Sequence, residues 1–107
     1  MEPKGHLDFL LLAAIRRGQP AHGYALIAAV RELSSQAFDL AEGTVYPALR
    51  RLETQGLVTS AWDENQARPR RLYRLSERGR KALRDKQAEW AVYRSAVEGV
   101  VLTSAGR

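Results

Sequence analysis

The chain has no cysteine and a single methionine among its 107 residues. Missing thiols exclude disulfides, thiolate metal sites and cysteine nucleophiles together. Histidine is nearly as scarce, since His6 and His22 stand far apart and neither has companions at a metal-binding spacing. The glycines are scattered without a GxGxxG or Walker loop, and no serine sits in a GxSxG elbow. Asp63 and Glu64 lie in a polar loop rather than beside a base. No catalytic set, metal set or cofactor motif emerges, so the chain reads as a non-enzyme. Long apolar runs are missing too. None is longer than the seven residues of Phe9 to Ile15, far short of the roughly 20 residues that span a bilayer. Met1-Glu2-Pro3-Lys4-Gly5 lacks the basic-then-apolar grading of a secretion signal. The expectation is a cytoplasmic protein with no membrane partner.

What the chain does have is charge of one sign, concentrated in one place. Its 17 basic and 12 acidic residues leave a net charge of +5. The stretch Arg68 to Arg84 holds eight basic residues against Glu77 alone, for +7. Residues 1–67 carry six basic and eight acidic groups, and residues 85–107 carry three of each. The whole excess therefore sits in about one sixth of the sequence. Fourteen of the basic residues are arginine, whose planar fork suits phosphates and base edges better than an ammonium does. On charge alone the segment reads either as a solvated helix face or as a polyanion-binding surface.

Hydrophobic residues make up 45% of the chain, enough for one domain's core with no linker to divide it. No internal repeat or low-complexity tract appears. The spacing predicts a first helix over Leu7 to Arg17, apolar on two sides, closed by Gly18 in a left-handed conformation. A second helix spans Tyr24 to Leu33, with Leu26, Ile27, Val30 and Leu33 facing inward. The third lies between Glu42 and Gln55, with Val45, Leu49 and Leu52 as its apolar row and Gly56 as its stop. Pro47 deletes a backbone bond there, so either the regular helix begins near Tyr46 or its first turns are distorted. Two short strands follow, Leu57 to Trp62 and Arg70 to Leu75, joined by a polar loop. Ser76 reads as the N-cap of a long last helix, with Glu77 in its first turn. Along that helix Leu83, Trp90 and Val97 recur every seven residues, with Tyr93 and Val100 in the alternate seam. Such a stripe either folds back on the body or meets a second subunit. The second subunit is favoured, because the first helix is also apolar on two sides.

Three helices, a two-stranded ribbon and a last helix form a mainly α fold with a small β-hairpin. That is the order of a winged helix-turn-helix (residues 1–75) followed by a C-terminal dimerisation helix (residues 76–107). In such a fold the third helix can enter the major groove of duplex DNA, while the ribbon follows the neighbouring backbone or minor groove. The third helix offers Thr44, Tyr46 and Arg50 on the side away from its apolar row. The ribbon supplies Arg68, Arg70 and Arg71.

The run Glu42-Gly43-Thr44-Val45-Tyr46-Pro47-Ala48-Leu49-Arg50-Arg51-Leu52-Glu53, then Gly56-Leu57-Val58, resembles the PadR family of bacterial transcriptional regulators. So do His22-Gly23-Tyr24 and Pro69-Arg70-Arg71-Leu72-Tyr73-Arg74-Leu75-Ser76 with Gly79. The resemblance covers about residues 7 to 102, and the single last helix is similar to the short subfamily. It implies a homodimeric repressor on an inverted-repeat operator, with residues matching Tyr24 and Tyr46 near the DNA backbone and basic wing residues in the minor groove. It also implies a flat aromatic small-molecule effector at the dimer interface around Trp90. Stacking between two indoles related by the dimer axis would leave Leu12 and Ala13 as walls from the first helix. Two features depart from the family pattern. Ala41 stands where a polar cap is common, and the wing relies on arginine and Pro69 in place of lysine and glycine.

Several of these residues have a second reading. Tyr46 packs against the second helix or contacts DNA, and Tyr24 divides between core and phosphate contact. Tyr73 reads as core, Trp62 as a cover on the hairpin's inner face, and Arg78, Arg80 and Arg84 as solvated. Trp90 is a packing residue or an effector wall, and the small Ala13 and Ala14 either leave space or let helices approach. The dimer seam is Leu83, Trp90, Tyr93, Val97 and Val100. A winged-helix module binding an acidic protein partner is the alternative function. The polar third helix and arginine-rich ribbon favour DNA, because such a module would usually expose an apolar patch.

Overall fold

A computed structural model describes residues 5–65 and 67–102. In chain order the elements are α1 (Leu7–Gly18), α2 (Gly23–Leu33), α3 (Glu42–Thr54), β1 (Val58–Asp63), β2 (Arg70–Leu75) and α4 (Glu77–Val101). The fold class read from the sequence is the one observed. No helix among the described residues is long and apolar enough to cross a membrane.

The first three helices bury most of the stripe that their spacing dictates, except that Leu33, expected to face inward at the end of α2, is 55% exposed. Leu11 and Ile15 of α1, Leu26 of α2, and Val45, Leu49 and Leu52 of α3 are fully buried, together with Val58 of β1 and Leu83 of α4. Side chains of this size contribute roughly 1.5 to 3 kcal/mol each on burial. Phe9, Ala13, Ile27, Phe38, Tyr46 and Leu57 pack around that cluster half-buried. An exposed ion pair between Arg51 and Asp8 ties α3 to α1.

The ends of the helices follow from local chemistry, with one correction to the sequence reading. Gly18 is the last residue of α1, and the chain turns extended at Gln19 (φ −73°, ψ 145°) instead of passing through a left-handed glycine. The cause is Pro20, which disfavours the helical region for the residue before it. The Gln19 side chain then accepts the Leu75 backbone N–H at 2.9 Å, pinning this turn to the end of β2. At the end of α3 the left-handed glycine does occur, at Gly56 (φ +79°). There Leu57 N–H donates to the Leu52 carbonyl at 2.9 Å and Gly56 N–H to that of Glu53 at 3.0 Å. This pair of bonds is the Schellman closure. It takes Leu57 out of the ladder, so β1 begins at Val58, one residue later than its apolar character suggests.

Pro47 lies inside α3, which nevertheless starts at Glu42. The first turn is held by Thr44 and Val45 N–H donating to the Ala41 carbonyl at 2.9 and 3.0 Å, without a side-chain cap. The strands pair antiparallel from Val58↔Leu75 to Asp63↔Arg70. Ala21 adds a third short pairing, exchanging two backbone bonds with Tyr73 at 2.8 and 3.1 Å.

Ser76 caps α4, its hydroxyl oxygen accepting the Gly79 N–H at 3.0 Å. The same hydroxyl donates to the Gly56 carbonyl at 2.6 Å. Leu83 is fully buried against the body of its own chain, which corrects its placement in a seam between subunits. From Trp90 onward the apolar residues of α4 lie at the surface, Val100 being 83% exposed. At 1.5 Å per residue the 25 residues of α4 reach about 37 Å and account for much of the 62 Å longest dimension.

Gly79 has no room for a side chain, because a Cβ there would stand 1.9 Å from the Leu57 carbonyl oxygen. Backbone on both sides of that contact must shift to admit a methyl group. Gly79→Ala is therefore expected to cost about 3 kcal/mol or more, at the upper end for overpacking. Chemical denaturation of both proteins checks this, and an unchanged midpoint contradicts it.

Candidate nucleic-acid interface

The outer face of α3 is built by subtraction. With Val45, Ala48, Leu49 and Leu52 turned inward, the residues left at the surface are Glu42, Gly43, Thr44, Pro47, Arg50, Arg51 and Thr54. Arg51 is drawn aside to Asp8. Arg50 has no ion-pair partner among the described residues, and its backbone carbonyl accepts the Thr54 hydroxyl at 3.0 Å. The face is thus small and polar near its start and cationic further along.

Tyr46 is half-buried, and its ring lies over the start of α2. A Cβ on Gly23 would fall 2.5 Å from that ring and 2.6 Å from its hydroxyl. Only glycine allows this approach, so of the two readings of Tyr46 the packing one describes its ring. Tyr24 sits beside it, 54% exposed. Its hydroxyl donates to Glu42 Oε2 at 2.9 Å, linking the first turns of α2 and α3. That bond, reinforced by the carboxylate's charge, raises the Tyr24 phenol above its ordinary value. His22, at the cap of α2, keeps a buried Nδ1 with no hydrogen-bond partner among the described residues.

The hairpin presents two different faces. Val58, Ser60 and Trp62 share one with Leu75, Tyr73 and Arg71, while Thr59, Ala61 and Asp63 share the other with Arg74, Leu72 and Arg70. Tyr73 is core, as the sequence suggests. Its phenol is raised, first by burial and then by the nearby charge of Glu53. Trp62 is 58% exposed, and the Arg71 guanidinium carbon lies 4.8 Å from the centre of its ring. Arg71 Nε donates to Ser60 Oγ at 2.9 Å. Arg70 is half-buried on the opposite face, and Arg68 and Arg74 are exposed. On α4, Arg80 pairs with Glu77 at 3.2 Å and Lys81 with Asp85 at 2.7 Å, as expected of a solvated face.

The far half of the molecule carries a separate feature. Trp90 is 40% exposed, and the rings of His6 and Tyr93 stand 5.6 and 5.9 Å from it. With Phe9, Lys86 and Glu89 they line a cleft of about 400 Å³ between α1 and α4. Leu12 and Ala13 do not line this cleft of the single chain. Leu12 is buried in the core, and Ala13 borders a hollow between α1 and α2 with Leu10, Val30, Leu33 and Phe38. No cluster of potential metal ligands occurs among the described residues.

The sequence reading brings Tyr24, Thr44, Tyr46 and Arg50 to one surface, with the hairpin next to it. It misses the partners that hold this surface: Glu42 for Tyr24, and Glu53 and Ser60 for Arg71. Nothing in a single sequence marks those contacts, because each joins residues of different elements.

Comparisons with known proteins agree with this geometry. The model of the transcriptional regulator PadR-like family matches residues 11–85. The crystal structure of a PadR family transcriptional regulator from Eggerthella lenta is 37% identical, with a TM-score of 0.77 over 94% of this chain and 86% of that one. A PadR family transcription regulator from Clostridium difficile is 31% identical, with a TM-score of 0.77 over 92% of this chain and 100% of that one. A transcriptional regulator from Mycobacterium tuberculosis is 43% identical over 53 residues, half of each chain.

Proposed function

Because the chain belongs to the PadR-like family of transcriptional regulators, we propose that it acts as a homodimeric repressor on an inverted-repeat operator. It is a regulator, not an enzyme, and a DNA-binding role comes with the family. In our reading α3 enters the major groove with Thr44 and Arg50 toward the bases, and Tyr24 and Tyr46 lie near the phosphates. The wing, carrying Arg68, Arg70 and Arg71, follows the adjacent backbone and minor groove. Residues 1–75 bind DNA, residues 76–107 join the subunits, and the work is done in the cytoplasm.

The observation that carries this reading is the coincidence of an exposed polar α3 face with the +7 segment that ends the wing and opens α4. Dimerisation is supported by Trp90, Val92, Tyr93, Val97, Val100 and Val101, all exposed on one protruding helix. A monomer would leave that apolar surface in water. Two-fold symmetry then repeats each contact and matches paired half-sites.

Both parts are tested with one protein preparation and an operator fragment recovered from the organism's own DNA. Affinity is expected to fall with salt by about 0.9 log units per log unit for each phosphate neutralised. Arg50→Ala should weaken operator binding by roughly tenfold, within the 1 to 3 kcal/mol of a base contact. Val97→Asp with Val100→Asp should give folded monomers by sedimentation and abolish tight operator binding. A wild-type monomer at micromolar concentration, or salt-independent binding, contradicts the proposal.

We further propose that the cleft at Trp90 takes a flat aromatic effector that releases the DNA. Three aromatic rings besides Trp90 border it, together with Lys86 and Glu89, which pair with each other at 3.9 Å. The rings suit a planar aromatic compound, a cation among them. Planar aromatic cations should quench tryptophan emission and lower operator affinity. The quenching should vanish in Trp90→Phe and persist in Trp62→Phe, and quenching that survives Trp90→Phe leaves Trp90 as a packing residue.

A further inference from the structure

One hydroxyl joins the last turn of α3 to the wing. Ser60 Oγ donates to Glu53 Oε2 at 2.7 Å and accepts from Arg71 Nε at 2.9 Å. Donating to a carboxylate fixes the direction of the hydroxyl proton, which leaves its lone pairs for the guanidinium. Arg71 is held a second time by the face of Trp62, 4.8 Å away. The four side chains come from three elements: Glu53 from α3, Ser60 and Trp62 from β1, Arg71 from β2. Trp62↔Arg71 is the last ladder pair but one before the wing loop. The chain of contacts therefore starts on the helix proposed to enter the groove and ends where the wing leaves the body.

We propose that Arg71 is a positioning residue, which Glu53 and Ser60 hold so that the wing keeps a set angle to α3. This rests on the DNA-binding reading above and changes the part Arg71 plays in it. Its Nε is committed to Ser60, its guanidinium carbon lies over the Trp62 ring, and Glu53 supplies a compensating charge on the far side of one hydroxyl. The cation is turned to the hairpin's inner face, opposite the face of Arg70 and Arg74. What Arg71 gives DNA binding is the placement of the other wing cations. Ser60 is then as important to affinity as an arginine, although it needs no contact with DNA.

The test separates positioning from contact. Ser60→Ala leaves Arg71 in place and removes its anchor. If Arg71 positions the wing, Ser60→Ala weakens DNA binding about tenfold, the scale of one hydrogen bond to a charged group. It also flattens the salt slope by about 0.9 or more, as wing cations lose a phosphate. Arg71→Ala should do the same, the double variant no worse than either single one, and Ser60→Thr should restore the wild-type values. If Arg71 contacts a phosphate itself, Ser60→Ala leaves affinity and slope unchanged or raises both, while Arg71→Ala alone flattens the slope, and the proposal fails. A second readout does not need DNA. In a Trp90→Phe background Trp62 is the only tryptophan, and Ser60→Ala should change its emission by loosening the guanidinium over its ring. Unchanged emission overturns the anchoring. A changed emission with no DNA binding by any form of the protein instead overturns the function proposed above.

Discussion

Between the end of α3 and the start of α4, the carbonyls of Gly56 and Leu57 are held by one residue. Ser76 donates its hydroxyl to Gly56 at 2.6 Å and its backbone N–H to Leu57 at 3.1 Å. Its hydroxyl oxygen at the same time accepts the Gly79 N–H, which caps α4. Gly79 lies so close to Leu57 that no side chain fits between them. The end of α3, both ends of the hairpin and the beginning of α4 thus meet in a few residues. A shift at this junction would change the angle between α3 and the wing, and also the direction of α4. Part-buried bonds of this kind contribute little net energy when made, and breaking them leaves polar groups short of a partner. The close approach at Gly79 and these three bonds of Ser76 together restrict how this junction can move.

That rigidity matters because the two ends of the molecule have different surfaces. On one side of the junction stand a polar helix face and a wing with concentrated positive charge. On the other, α4 runs outward with its apolar residues uncovered. In the function proposed, α4 sets the spacing of two copies and α3 with the wing reads one half-site each. The distance between half-sites is then a property of the junction as much as of the interface. A ligand in the cleft between α1 and α4 would act on the same lever, since α4, one of its walls, leaves from this junction. Glu42 tempers the positive face. Its carboxylate sits at the start of α3, taken up by Tyr24.

Much of this was legible in the sequence where a residue's role is decided by its neighbours along the chain. The apolar rows of α1 and α3, and that of α2 up to Val30, obey helical spacing, and Gly56 and Ser76 are end signals whose effect is local. Arg70 to Leu75 alternates as a strand does and was found at those bounds. The departures have tertiary or competing local causes. Gly18 has the composition of a left-handed stop, but Pro20 dictates the geometry one residue earlier. Pro47 breaks a helix in isolation, and here the packing of Val45, Ala48, Leu49 and Leu52 outweighs its lost bond. Leu83 shares a heptad with Trp90 and Val97, yet it lies where α4 still crosses the core. Periodicity tells which residues share a face of a helix, not how far along that face the body extends. Glu53, Ser60 and Arg71 show the same limit among polar residues, because their spacing carries no hint of a shared hydrogen bond.

The central claim is that α3 and the wing, held in one arrangement by this junction, form the surface that meets DNA. Backbone amide chemical shifts, followed while an operator duplex is titrated into isotope-labelled protein, test it residue by residue. The account predicts that the largest changes fall on Thr44 to Arg50, on Tyr24 and along Arg68 to Arg74, while α4 beyond Trp90 stays unmoved. Changes confined to the outer half of α4, or none on α3 and the wing at saturation, would contradict it.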